Sequence, residues 1–359
     1  MGFWIQFIMY ANGFCAYATN SLLIYVILKH SRPELGSYRY LMLSFTICNI
    51  IFPTLHMLVM PHLHVIGHAF IFFPEGILAQ WPIVAHWADV GWGFMFGVIL
   101  AVVMLHFIYR YLAVVRPRAL IFFSSQRHAL LPASVVLFNG LVWGASFHCS
   151  TFHIDKHKDY FRESMMKDYG VSVDGLPMLG LLFVTNNSLG QEVYYWPEVF
   201  SGVCCMTLFF GTFLTISCCT VGIYYHLEKA ELSAKTKKLQ KELFKALICQ
   251  ASIPCMLEYG PCGFTHLLAF SGINLLGPLT HYCIIFVSLY PAIDPLCVMY
   301  FIKDYRRFIA RKLGIKMEQQ ASSLWERSQN MSQKNSSWTR KGSTISDLPP
   351  IRGKVFPAQ

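Results

Sequence analysis

Long apolar runs, separated by short charged connections, dominate this chain. A helix needs about 20 mostly apolar residues to cross a bilayer. Seven stretches qualify: 3–28, 40–60, 87–109, 129–149, 199–225, 246–270 and 277–302. The second stops at Pro61. The third, sixth and seventh each hold a single acid, Asp89, Glu258 and Asp294. The pattern predicts an all-α fold, a seven-transmembrane helix bundle over residues 1–302. Residues 61–86 are also apolar, centred on Phe70 to Phe73. An eighth span there would reverse every later segment and put the Arg-rich connections on opposite sides, so the stretch reads as a connection.

Lys and Arg set the orientation of such a bundle. Of 29 basic residues, 25 fall in four places: around Lys29 to Arg39, around Arg110 to Arg127, from Lys229 to Lys245, and after Lys303. All four lie on one side, which places the N-terminus outside and the C-terminus in the cytosol. The other four lie in one long opposite loop, offset there by acids. Residues 303–316 alternate basic and apolar positions at helical spacing, which predicts a short helix lying on the inner membrane face. Residues 317–359 are rich in Ser, Asn, Gln and Pro and read as a disordered cytosolic tail.

Composition narrows the class. The chain has 359 residues, 55% of them hydrophobic and 13% charged, with a mean hydropathy of +0.44. A soluble core of this length cannot hold that much apolar surface. The net charge of +10 sits in loops and tail, which argues for membrane topology and anionic lipid rather than nucleic acid. The twelve cysteines fall mostly inside apolar runs and lack zinc spacing. There is no G-x-S-x-G and no P-loop, and span seven has no Lys for a retinal Schiff base.

Charges inside a membrane are costly, so each is a functional candidate. Asp89, Glu258 and Asp294 either hold helices together or serve a site. Arg110 closes span three within His106-Phe-Ile-Tyr-Arg-Tyr-Leu-Ala-Val-Val-Arg-Pro117. It either snorkels to the interface or switches between the helix bundle and a cytosolic partner. His62, His64 and His68 read as a solvated interfacial loop in preference to a metal site, and no cofactor is called for. Pro254, Pro261, Pro291 and Pro295 permit kinks in spans six and seven. Trp87, Trp92, Trp196, Tyr194, Tyr195 and Tyr282 crowd the outer side, as an interface belt or a pocket lining.

Several segments together resemble one family. Leu35-Gly-Ser-Tyr-Arg-Tyr-Leu-Met42, His106-Phe-Ile-Tyr-Arg-Tyr111, Pro254 through Glu258-Tyr-Gly-Pro-Cys262, Tyr290-Pro-Ala-Ile-Asp-Pro295 and Lys303-Asp-Tyr-Arg306 are similar to motifs of nematode Str-type serpentine chemoreceptors, and to those of their sister classes Srj and Srd. The resemblance implies a G-protein-coupled chemoreceptor, not an enzyme. It implies a small environmental ligand, odorant-like, a heterotrimeric G protein as partner, and the ciliary membrane of sensory neurons as location. With such a ligand, the membrane-embedded acids and the outer aromatics make Asp89, Trp92, Trp196, Glu258, Tyr259 and Tyr282 the candidates to bind it. For coupling and switching the resemblance suggests Arg110, Tyr111, Arg116, Lys237, Lys238 and Asp294. Arg110 matches the Arg of the rhodopsin-like D-R-Y motif, but Tyr109 replaces the acid. Asn20 resembles the first-span Asn of those receptors, and Asp294-Pro295 their seventh-span N-P. Their usual outer disulfide is not expected, so the long loop from Ser150 to Trp196 must be held another way. Asn186 heads a glycosylation sequon in that loop. A membrane transporter or channel is the alternative. It would need paired intramembrane charges or a repeat with broken helices in matching halves, and a metal-dependent membrane hydrolase would need a ligand set.

Overall fold

The computed structural model describes residues 3–31, 35–125, 127–229, 234–273 and 280–314. Its helices are α1 (Phe3–His30), α2 (Tyr38–Val59), α3 (Pro82–Val115), α4 (Ile121–Ser124), α5 (Leu130–Lys156), α6 (Lys158–Tyr169), α7 (Trp196–Lys229), α8 (Ala234–Pro254), α9 (Gly260–Ser271), α10 (Thr280–Phe301) and α11 (Lys303–Lys312). Among the described residues, α1, α2, α3, α5, α7 and α10 are each long and apolar enough to cross a membrane. The seventh crossing is composite. Helices α8 and α9 follow one another through a single π turn, Cys255–Tyr259. Residues 234–245 of α8 carry Lys235, Lys237, Lys238, Lys241 and Lys245, so only the remainder of the helix is membrane-like.

Helix α3 lies at the centre. Ala85, Asp89, Trp92, Phe96, Ile99, Val103, His106 and Arg110 recur at alternating spacings of four and three, and all are buried. That spacing keeps them on one face of the helix. A second face meets α5 through glycines on both sides. A Cβ at Gly93 would strike Phe147, and one at Gly97 would strike Trp143 and the backbone of Asn139. Gly140 and Gly144 meet Phe94 in return. In lipid, where apolar burial drives little association, such small-residue seams let helices approach closely.

The stretch 61–86 is where the structure adds to the sequence picture. Helix α2 ends on Met60 in a left-handed conformation (φ 46°), its N–H bonded to the His56 carbonyl at 2.8 Å. Pro61 then starts a strand at once. Strands β1 (Pro61–Ile66), β2 (Ala69–Pro74) and β3 (Leu179–Leu182) form an antiparallel sheet in the order β1-β2-β3. Strands β4 (Val184–Asn186) and β5 (Glu192–Tyr194) form a separate hairpin. The three-stranded sheet is buried on both faces. Leu63, Val65, Phe70, Phe72, Leu179 and Leu181 join the main core with α3, α5 and α10 residues. Ala69, Ile71, Phe73, Met178 and Leu182 face a second core with Ile154, Phe161, Met165 and Val173. The period of two along a strand produces this division. Gly180 lets β3 pair with β2, because a Cβ there would collide with the Phe70 carbonyl.

The sheet thus closes one end of the bundle, and α6 covers it. This also answers how the 150–196 loop is held. Strand β3 ties it to β2, the Phe183 N–H bonds the His68 carbonyl at 2.9 Å, and Phe183 stacks on Phe270 at 4.3 Å. Arg162 of α6 binds Asp174 at 2.6 Å and Asp159 at 3.0 Å. All twelve cysteines are free thiols. Met1–Arg306 forms one compact unit, and a second begins at Arg307. Helix α11 ends at Lys312, followed by a turn at Gly314 (φ 69°). The expected tail, 317–359, lies outside the described residues.

Candidate functional site

Directly beneath the sheet, aromatic rings from several spans meet. Trp92 of α3 stacks on Phe52 of α2 at 5.7 Å and touches Phe72 of the sheet at 5.3 Å. Phe52 also contacts Tyr290 of α10 at 5.8 Å. One turn further along α3, Phe96 meets Trp143 of α5 at 4.6 Å and Tyr259 of the π turn at 5.6 Å. Tyr259 in turn meets Phe213 of α7 at 5.9 Å. Spans two to seven therefore share one aromatic interior.

Polar groups without protein partners are set into it. Both nitrogens of His56, both oxygens of Asp89, the Trp92 indole nitrogen, both oxygens of Glu258 and the Tyr259 and Tyr290 hydroxyls make no hydrogen bond among the described residues. Each residue is buried. An unsatisfied buried polar group costs roughly 1–3 kcal/mol, so such a set in one region calls for a functional explanation. His56 and Tyr290 are additions to the sequence reading. His56 was legible as a polar residue inside an apolar span, and nothing in the sequence singled it out.

The six ligand candidates divide. Asp89, Trp92, Glu258 and Tyr259 are all in the interior. Trp196 and Tyr282 are 69% and 54% exposed. Trp196 begins α7 and stacks on Tyr194 at 5.8 Å. The physical reason is position, since both sit in first turns facing outward, where aromatic belts form.

At the opposite end of α3, Arg110 is 6% exposed. Its guanidinium carbon lies 4.1 Å from the centroid of the Tyr38 ring. Tyr111 packs where a Cβ on Gly222 of α7 would come within 2.6 Å. Arg116 caps the end of α3 and is exposed. Lys237 donates to the Glu228 carbonyl at 3.1 Å, and Lys241 pairs with the Glu228 carboxylate at 2.6 Å. Lys238 is exposed. Asp294, buried in α10, accepts from the Asn49 amide at 3.3 Å. Asn20 donates to the Pro291 carbonyl at 2.8 Å, a carbonyl that lies near the kink-forming prolines of α10. Spans one, two and seven are thereby tied around Asp294.

The histidines of 62–68 are not a solvated loop. His62 and His64 are buried in β1. His62 stacks on Phe73 at 4.8 Å and lies 3.6 Å from Glu75. The His64 ring bonds Tyr169 at 3.2 Å and Ser164 at 3.0 Å. Strand alternation turns both onto the α6 side of the sheet, where these partners wait. Burial pushes the His64 imidazole down to about 4. No group of three or more metal-binding side chains occurs among the described residues. Asn186 lies exposed at the end of β4.

Comparison with known proteins agrees with this architecture. The family model described as serpentine type 7TM GPCR chemoreceptor Str matches residues 5–310. The chain is 24% identical over 295 residues to the Caenorhabditis elegans protein named G-protein coupled receptor str-33, covering 81% of this chain and 85% of that one. It is 26% identical over 298 residues to a Caenorhabditis elegans serpentine receptor class r-10, covering 79% and 83%. A serpentine receptor class J-38 of the same organism is 22% identical over 299 residues, covering 82% and 89%. Squid rhodopsin shares the fold, with a TM-score of 0.55 at 14% identity over 88% of this chain and 87% of that one. A seven-helix bundle carrying these motifs, matched over nearly its whole membrane domain, belongs to the Str family of serpentine G-protein-coupled chemoreceptors.

Proposed function

We propose that this receptor binds a small, largely apolar environmental molecule in the aromatic interior beneath the sheet and signals to a heterotrimeric G protein at its basic end. The observation that supports this best is the set of unpartnered polar groups on α2, α3, the π turn and α10, centred on Asp89, Trp92, Glu258 and Tyr259. A mostly apolar site with a few polar groups is the usual chemistry of a small-molecule pocket. The membrane-facing Trp196 and Tyr282 then serve as belt residues.

The basic connections support an orientation with the N-terminus outside and the coupling face in the cytosol. On that face Arg110, Tyr111, Arg116, Lys237, Lys238, Lys303 and Arg306 suit anionic lipid and an acidic partner surface. The hinge is the π turn between Pro254 and Pro261, since π turns inside helices mark functional sites and both prolines remove backbone donors. A ligand shifts such a hinge only by preferring one of its states. The family points to the ciliary membrane of sensory neurons, within a plasma membrane that the protein crosses several times.

The test is second-messenger output in cells expressing the receptor with an outer tag, screened against volatile and small apolar compounds. A responsive compound is expected to lose its effect in Arg110→Ala at equal surface level. Normal signalling from Arg110→Ala would sink the coupling role. Ion or substrate flux with no second-messenger response would favour the transporter reading instead.

A further inference from the structure

Arg110 presents a physical problem that the sequence leaves open. Its guanidinium is buried at 6% exposure. Its Nε and Nη2 atoms make no hydrogen bond among the described residues. The residue before it is Tyr109, so no adjacent acid neutralises it. Among the described residues no carboxylate lies within ion-pair distance. A bare buried cation is costly, and something must hold it there.

The group in place is the π face of Tyr38. The Arg110 guanidinium carbon sits 4.1 Å above the Tyr38 ring centroid. Tyr38 is the first residue of α2, and it is itself only 4% exposed. Its ring is clamped edge-on by His106 at 5.6 Å and tilted against Tyr109 at 5.2 Å. Phe45 holds His106 from the other side at 5.4 Å. Gly36, with φ 52°, shapes the turn that delivers Tyr38 to the end of α3. These neighbours therefore hold the ring in place against the cation. A desolvated guanidinium over a fixed ring is the strong form of the cation–π contact.

We infer that Tyr38 is the positioning residue for Arg110. It holds the guanidinium inside the bundle in the resting receptor, in place of the missing acid, and gives it up when the basic end opens to its partner. This rests on the reading of Arg110 as the coupling group. The lock is graded by ring electronics, which an ion pair would not be. Breaking it shifts the closed-to-open balance by about tenfold, the size expected for one partly desolvated cation–π contact.

The test replaces Tyr38 by Phe, by Leu, and by phenylalanines carrying one to three ring fluorines introduced by nonsense suppression. Fluorination keeps the shape and drains the π face stepwise. Two quantities are read per surface receptor: basal second-messenger output, and the distance between spectroscopic labels at positions 118 and 245. Tyr38→Phe keeps the ring face and loses the hydroxyl that also interacts with Arg110, so it is expected to raise basal output less than Tyr38→Leu. Basal output is expected to climb with fluorine count and to reach about tenfold in Tyr38→Leu, with the label distance lengthening in step. Flat output and unchanged distances across the fluorine series, at equal surface level, would overturn the proposal. If Tyr38→Leu fails to reach the surface, the fluorine series decides alone. Distances that lengthen without any rise in output would uphold the role of Tyr38 and reject the coupling reading of Arg110.

Discussion

Phe70 offers the most direct test of the two-sided sheet. Its side chain is fully buried. It contacts His266 at 4.3 Å, Phe72 at 6.0 Å and Phe183 at 6.4 Å. Truncating a buried Phe to Ala removes its transfer free energy and leaves a cavity, together about 3–5 kcal/mol. At about 2 °C per kcal/mol for a chain of this size, Phe70→Ala is expected to lower the melting midpoint by about 6–10 °C. Phe73 is also fully buried but faces the second core with Phe161 and Met165, so Phe73→Ala carries a cost of the same order. The control is Phe200→Ala on α7, where the side chain is 71% exposed and the change is expected to fall within about 0.5 kcal/mol. A thiol-reactive dye in detergent suits the assay, because Cys205 and Cys219 are free and buried and become reactive on unfolding. If Phe70→Ala melts with the Phe200→Ala control, residues 61–74 are not a buried sheet. If Phe70→Ala is costly and Phe73→Ala is neutral, the sheet is packed on one face only.

Acid should loosen the same cap. The His64 imidazole is held at about 4 by burial, against 6.5 for an ordinary histidine, with Asp168 and His62 as its charged and titratable neighbours. The unfolded chain then binds the extra proton first. The stability from neutral His64 is full above about pH 6.5, declines as pH falls toward 4, and is gone below it, a loss of about 3 kcal/mol. The melting midpoint should fall over that window and fall less in His64→Gln, and a parallel pair of pH profiles would refute this. At the π turn, a Cβ on Gly260 would lie 2.9 Å from the Cys255 carbonyl. Gly260→Ala is expected to cost about 1–3 kcal/mol in the same melting assay, and an unchanged midpoint would mean the turn relaxes freely. Asn186, exposed on β4, is expected to carry a glycan whose removal by glycosidase shifts the protein on a gel. The shift should vanish in Asn186→Gln. The sequence also holds two sequons after span seven, Asn330-Met-Ser332 and Asn335-Ser-Ser337, and a glycan on either would reverse the proposed orientation.

The bundle was legible because the bilayer forces every spanning segment to satisfy its own backbone, which leaves long apolar runs. The sheet was not legible, for an equally physical reason. A strand buried on both faces loses its alternation and reads as a continuous apolar run, as Ala69-Phe-Ile-Phe-Phe73 and Leu179 to Leu182 do. In β1 the histidines of Pro61-His-Leu-His-Val-Ile66 suggested solvent, while their partners Tyr169 and Ser164 lie about a hundred residues away. The interior acids announced themselves by the cost of burying charge. Tyr38 gave no such signal, because an aromatic near a membrane interface is ordinary until its neighbour is known. Trp196 and Tyr282 looked identical to Trp92 in sequence terms, and only the direction each faces separates them.

The distance between the two ends of α3 limits how they can communicate. Asp89 and Arg110 are 21 residues apart, about 31 Å along one helix. The glycine seams at Gly93, Gly97, Gly140 and Gly144 fix α3 against α5, so α3 is a poor candidate for the moving part. Coupling between distant sites needs an element with two arrangements that both sites bias. The composite span six has the required features. Its π turn places Tyr259 against Phe96, close to the unpartnered Glu258, while the charged half of α8 reaches the basic end and ties to Glu228 through Lys241. A ligand that satisfies Glu258 or Tyr259 in only one arrangement of the turn would tilt α8 at its far end, which packs against α3, the helix that carries Arg110. On this mechanism the label distance between positions 118 and 245 responds to substitutions in the π turn as well as at Tyr38, although neither label touches the turn.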